Sequence, residues 1–118
     1  MPDVATLDQE LNQMVLNGQA MEAFEKFYSE DVVMQENSNE PVVGKDANRK
    51  REEEFFASLE EFHGAGVLAS ASAGDRSFSE WWMDVTIRGA GRVKMEQVTV
   101  RAWKDGLVVS ERFYYNAT

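Results

Sequence analysis

The stretch Ser77–Asn116, SFSEWWMDVTIRGAGRVKMEQVTVRAWKDGLVVSERFYYN, decides the fold, because it gathers most of the aromatic and β-branched residues of the chain into three alternating runs. Gly89-Ala90-Gly91 and Lys104-Asp105-Gly106 separate those runs, and both are turn chemistry between β-prone segments. The reading is a three-stranded antiparallel meander, with the upstream chain laid against one of its faces.

Turn length sets which residues share a face. A two-residue Gly89-Ala90 turn places Glu80 opposite Thr99 and Trp82 opposite Gln97, and a three-residue Lys104–Gly106 loop places Thr99 opposite Glu111 and Gln97 opposite Phe113. One face then carries Glu80, Trp82, Asp84, Gln97, Thr99, Arg101, Trp103, Glu111, Phe113 and Tyr115. The other carries Trp81, Met83, Val85, Val98 and Val100. A small domain does not leave so apolar a face in water. Either the apolar face is the core and the mixed face is solvated, or the mixed face lines a helix-covered pocket and the apolar face pairs with a second subunit. The aromatics Trp82, Trp103 and Phe113 on the mixed face favour the second arrangement.

Working outward, Thr6–Gly18 reads as an amphipathic helix with Leu7, Leu11, Met14 and Val15 on one face, a Thr6/Gln9 capping box and a stop at Gly18. A shorter helix carries Met21, Phe24 and Phe27/Tyr28. Val32–Met34 and Val42-Val43 read as strands around an Asn37–Pro41 loop. From an N-cap at Asp46, a helix over 47–62 aims Phe55, Phe56, Leu59 and Phe62 at the core, and Gly64 closes it. Small residues from Val67 to Ala73 make a further strand. The order gives an α+β domain spanning 1–118, with helices on one side of an antiparallel sheet which, if curved, forms a cone with a mouth.

Composition narrows the function classes. The chain of 118 residues holds no cysteine and one histidine, which excludes disulfides, thiolate metal sites and cysteine nucleophiles, and no metal-ligand spacing is present. A net charge of -9 argues against nucleic acid, and the basic run Arg49-Lys50-Arg51 meets Glu52-Glu53-Glu54 at once, so it reads as a solvated helix face. No signal peptide or membrane-length apolar run appears, so a cytoplasmic protein is expected. Gly89-Ala90-Gly91 lies between strands and makes no phosphate loop. No cofactor is expected.

The segment FYSEDVVMQENSNEPVVGKDAN, the Phe-rich helix after it, and the closing run Trp103-Lys-Asp-Gly-Leu-Val-Val-Ser-Glu-Arg-Phe-Tyr-Tyr115 resemble the SnoaL-like members of the nuclear transport factor 2-like superfamily. That group includes polyketide cyclases, ketosteroid isomerases, limonene epoxide hydrolase and scytalone dehydratase. The resemblance covers nearly the whole chain. It implies a curved antiparallel sheet wrapped around N-terminal helices, a cystatin-like cone, usually paired as a homodimer through the outer face of the sheet. It also places Glu36 where the ketosteroid isomerases keep their general base. Thr99 and Asn12 stand where those enzymes keep two oxyanion donors, so steroid isomerisation is not expected. The epoxide hydrolase's aspartate–arginine–aspartate set and the dehydratase's histidine pair are likewise missing.

Within such a pocket Glu36, Glu80 and Glu111 converge, with Arg101 as counter-charge, and crowded carboxylates losing hydration titrate high. Glu36 as base with Glu111 or Tyr115 as partner would suit cofactor-free isomerisation, cyclisation or dehydration next to a carbonyl or hydroxyl of a small apolar molecule. Glu80, Trp82, Gln97, Thr99, Arg101, Trp103 and Phe113 would line the pocket, with His63 at its mouth on the end of a helix. The other reading is a non-catalytic ligand-binding or interaction module. An enzyme requires Glu36 at an open cavity; a binding module would show it facing solvent or locked by Arg101.

Overall fold

A computed structural model describes residues 2–116. The elements run α1 (Val4–Leu16), α2 (Ala20–Phe27), β1 (Tyr28–Glu36), β2 (Val42–Val43), α3 (Lys45–Ala57), β3 (Leu59–Ala73), β4 (Arg76–Ile87), β5 (Gly91–Lys104) and β6 (Leu107–Tyr115). The strands form one six-stranded sheet in the order β2-β1-β6-β5-β4-β3. This is the expected α+β arrangement, with one difference: β1 runs parallel to β6. No hairpin joins those two strands, so no tight turn dictates their relative direction.

Helix α1 starts one turn before the expected capping box. The Asp3 carboxylate accepts the Thr6 N–H at 2.8 Å and satisfies a donor the helix leaves open. At the other end Gly18, at φ 81°, turns the chain so that the Gln19 N–H reaches the Met14 carbonyl at 2.8 Å.

Helix α3 stops at Ala57, five residues short of the expected end. Residues 59–73 pair with β4 along its whole length, from Leu59 opposite Ile87 to Ala73 opposite Arg76. A helix there would leave one edge of β4 with unmet N–H and C=O groups, and tertiary pairing outweighs a modest helical periodicity. Phe62 is therefore 60% exposed on a strand instead of buried on a helix. His63 moves with it. Gly64 is not a helix cap: with Gly66 it forms a flat strip under the Trp82 ring, and a Cβ on Gly66 would sit 2.5 Å from Trp82 Nε1.

Two turns set the register. Ile87 pairs with Gly91, so Arg88-Gly89-Ala90 is a three-residue loop instead of a two-residue turn. One extra residue reverses every β4 side chain. Ser77, Ser79, Trp81 and Met83 point inward, paired with Arg101, Thr99, Gln97 and Met95, while Glu80, Trp82 and Asp84 point outward. Between β5 and β6 the turn is Asp105-Gly106 alone, with both residues at positive φ (53° and 80°), the signature of a type I′ hairpin. By itself that shorter turn would put Glu111 on the outside. Ala102 pairs with Ser110 while Trp103 pairs with Val108, so Val109 is an extra, bulged residue that shifts the ladder back. Glu111 lies opposite Arg101, and both are buried.

The apolar core sits at the closed end, under α1 and α2: Leu11, Phe24, Phe27, Val32, Met34, Trp103 and Val108. Phe24 stacks on Tyr28 at 4.8 Å, and Phe27 meets Trp103 edge-on at 6.0 Å.

Gly66→Ala should lower stability by about 1–3 kcal/mol in urea denaturation, because the new methyl displaces the Trp82 ring. Adding Trp82→Ala should recover part of that loss. A Gly66→Ala protein as stable as the parent would refute the packing.

Candidate functional site

Between the helices and the inner face of the sheet lies a cavity of about 440 Å³. Its apolar wall comes from Leu11, Phe24, Phe55, Phe56, Trp81 and Phe113, and its charged groups are Glu36, Glu52, Glu54, Glu111, Arg51 and Arg101. The deep and outer ends differ in chemistry.

At the deep end Arg101 is 4% exposed and bonded through its Nε and Nη1. Its Nε donates to Glu111 Oε2 at 2.6 Å, and its Nη1 donates to Asp8 Oδ1 at 2.7 Å and Asn12 Oδ1 at 2.6 Å. Asp8 and Asn12, one turn apart on α1, also meet Ser77 and Ser79 of β4. Tyr28 Oη donates to Glu111 Oε2 at 2.6 Å, and Trp103 Nε1 donates to Ser77 Oγ at 2.9 Å. Burial works against the Arg101 cation, but Tyr28, Glu111 and Asp8 outweigh it and raise its pKa above the usual value. Burial, followed by the Glu111 charge, pushes Tyr28 well above its ordinary 10.0.

Toward the outer end, Glu36 closes β1. Its Oε1 accepts from Tyr115 Oη at 3.0 Å and its Oε2 from Arg51 Nη1 at 3.3 Å. Burial, then the bond to Glu36, raises the Tyr115 pKa. Glu52 stands beside them, with Arg51 Nη2 at 3.5 Å. Its side chain keeps 21% exposure, and burial pushes its carboxyl up from 4.5 to about 7. The charges of Glu111 and Glu36 add to that rise and Arg51 opposes it.

Glu36 and Tyr115 are thus in contact, and Gln97, Thr99, Arg101, Glu111 and Phe113 line the cavity with Glu36. Four expected site residues lie elsewhere. Glu80 and Trp82 face outward because of the longer β4–β5 loop. Trp103 fills the core beneath the cavity. His63 is on β3, where its Nε2 meets Thr86 Oγ1 at 2.8 Å. Glu52 was masked by the run Glu52-Glu53-Glu54, which reads as a solvated face. Its signal was present in the spacing: Asn48, Glu52, Phe55 and Phe56 fall on one helical stripe, and Asn48 is fully buried. Trp81 and Met83 line the cavity only because of the observed register, while Met95 shares the inner face of β5 with Gln97.

Among the described residues no group of three or more metal-ligating side chains comes together, and no helix is long and apolar enough to cross a membrane. The model of the SnoaL-like domain matches residues 4–115, and the chain belongs to that family. Solved structures agree in fold. A protein from Mesorhizobium loti, proposed to be a SnoaL-like polyketide cyclase, is 27% identical with a TM-score of 0.88, over 97% of this chain and 100% of its own. A Catenulispora acidiphila protein with a ketosteroid isomerase-like fold is 16% identical with a TM-score of 0.73, over 88% of this chain and 81% of its own. A Xanthomonas campestris protein of unknown function with a cystatin-like fold is 14% identical with a TM-score of 0.84, over 99% and 92%. No curated protein matches.

The Glu52 shift makes stability depend on pH. Its folded pKa lies above the unfolded one, so folding favours the neutral form; this stabilisation is complete below about pH 4.5 and is lost as pH rises through about 7. Across that window the parent should lose up to about 3 kcal/mol relative to Glu52→Gln in urea denaturation. Parallel pH profiles for the two proteins would count against the shift.

Proposed function

We propose that the cavity binds a small, largely apolar carbonyl or hydroxyl compound, and that the protein is a cofactor-independent isomerase, cyclase or dehydratase of the cytoplasm working by carboxylate proton transfer. One observation carries this reading: a carboxyl, Glu52, held near pKa 7 at the wall of a roughly 440 Å³ cavity. A base poised at the working pH exchanges protons most effectively, and shifted carboxyls in clefts mark functional sites. Glu52 is the acid–base group. The Glu36–Tyr115 pair, held by Arg51, is the partner that orients substrate and shares the proton. Glu111, bound by Arg101 and Tyr28, supplies field and not protons. The cyclase-like and isomerase-like folds of the similar structures accord with this chemistry.

A non-catalytic ligand-binding module is the second reading. The commitment of Glu111 to Arg101 and of Glu36 to Arg51 favours it, since both sequence-expected carboxylates are tied down.

The partner is a second copy of the chain, docked through the outer face of the sheet. The composition of that face is revised: Trp81 and Met83 are inside, and Leu68, Val98 and Tyr114 are exposed at 63%, 40% and 44%. Arg112 lies 4.7 Å over the Tyr114 ring.

With 1-tetralone in D₂O, the protein should accelerate deuterium incorporation next to the carbonyl, with a rate rising through about pH 7. Glu52→Gln should cut that rate by about 100-fold or more. Saturable binding without exchange would support the module reading instead. For the assembly, sedimentation at about 10 µM should give a dimer that Val98→Glu dissociates, within the range of ordinary interfaces; a parent monomer would remove the dimer.

A further inference from the structure

We propose that the indole N–H of Trp81 anchors the ligand, donating to an uncharged carbonyl oxygen; this rests on the pocket reading above. Trp81 points inward from β4, is 6% exposed and borders the cavity. Its Nε1 is buried with no hydrogen-bond partner. Folded proteins leave few buried donors unmet, because water's bonds are given up with nothing in return. The contrast with Trp103 is informative. That indole, also buried on the inner side, is answered by Ser77 Oγ at 2.9 Å. The fold therefore builds an acceptor for the Trp103 indole and none for that of Trp81, whose side chain borders the cavity.

Two other buried atoms among the described residues lack partners, and neither makes the same demand. Asn48 Oδ1 belongs to an amide whose nitrogen is held by the Val32, Val42 and Gly44 carbonyls, and Asn48 does not line the cavity. Arg51 Nε belongs to a guanidinium already engaged through both terminal nitrogens. Trp81 has no other polar atom, so its single donor is either met by a ligand or wasted.

Charge selects the acceptor. The cavity wall carries Glu36, Glu52, Glu54 and Glu111 against Arg51 and Arg101. Arg101 is shared between Glu111 and Asp8, and Arg51 between Glu36 and Glu52. An anionic ligand would meet excess negative charge and no uncommitted cation. A carbonyl oxygen only receives, so the Trp81 N–H answers it without a second partner. The favoured ligand is thus a neutral ketone, its oxygen at Trp81 and its carbon frame against Phe55, Phe56 and Phe113. If proton transfer takes place, negative charge gathers on that same oxygen and the N–H opposes it most effectively at that moment.

The ¹⁵N-labelled protein should show three indole cross-peaks, from Trp81, Trp82 and Trp103. Trp81→Phe assigns the first, and if that variant does not fold, Trp82→Phe and Trp103→Phe assign it by elimination. The parent is titrated with 1-tetralone, with its deoxygenated counterpart tetralin, and with 1-naphthoate. Tetralone should move the Trp81 cross-peak saturably while Trp103 stays, and should bind roughly tenfold more tightly than tetralin, the scale of one net hydrogen bond. Naphthoate should bind more weakly than both. In Trp81→Phe, tetralone should fall to the affinity of tetralin. Tetralone bound with the Trp81 cross-peak unmoved, or no tighter than tetralin, overturns the anchor and leaves the pocket reading intact. Absence of binding by both neutral compounds overturns the two together.

Discussion

A guanidinium buried to 4% exposure is tolerated only when its charge is met, and meeting that of Arg101 ties several elements together. Asp8 and Asn12 bring α1 onto the sheet, Glu111 comes from β6, Ser77 and Ser79 of β4 hold Asp8, and Tyr28 brings in the start of β1. A half-satisfied network of this kind is worse than an apolar core. The pieces therefore have one workable arrangement, with Arg101 directly across from Glu111. The Asp105-Gly106 turn alone would separate them to opposite faces, and the bulge at Val109 brings them back. Turn, bulge and helix docking answer a single electrostatic requirement.

That requirement also shapes the cavity. Glu111 is consumed by the scaffold, yet its charge remains, and together with Glu36 it helps hold a proton on Glu52. The carboxylate that packing secures thus tunes the one that packing leaves available. Arg51 moderates the effect from the same helix, so the titration of Glu52 depends on α3 being docked against β1. The cavity wall thus combines charges held as fixed partners with one carboxyl that burial raises to about 7.

Element types were largely legible in the chain. Apolar periodicity marked α1 and α2, alternation and glycine turns marked the meander, and the resemblance to SnoaL-like proteins located the cone. Boundaries failed where two readings were locally equal. Phe55, Phe56, Leu59 and Phe62 keep a helical spacing, and only the presence of β4 alongside turns 59–62 into strand. Gly64 reads as a helix stop; in the fold it and Gly66 are the flat bed for Trp82. Glu52 shared its composition with two exposed neighbours, so charge patterning hid it even though its helical phase matched Phe55 and Phe56.

The sequence by itself determined the α+β order, the family, the absence of cysteine chemistry, and the concentration of carboxylates around a few arginines. These follow from local preference and composition, which need no partner to act. Tertiary structure decided which residues form the site. Strand side chains alternate with period 2, so one residue more in the Arg88–Ala90 loop exchanged Trp82 and Glu80 for Trp81 and Ser79, and one bulged residue at Val109 kept Glu111 beside Arg101. A register is chosen by the fit of the whole inner face at once, and no single turn contains that information.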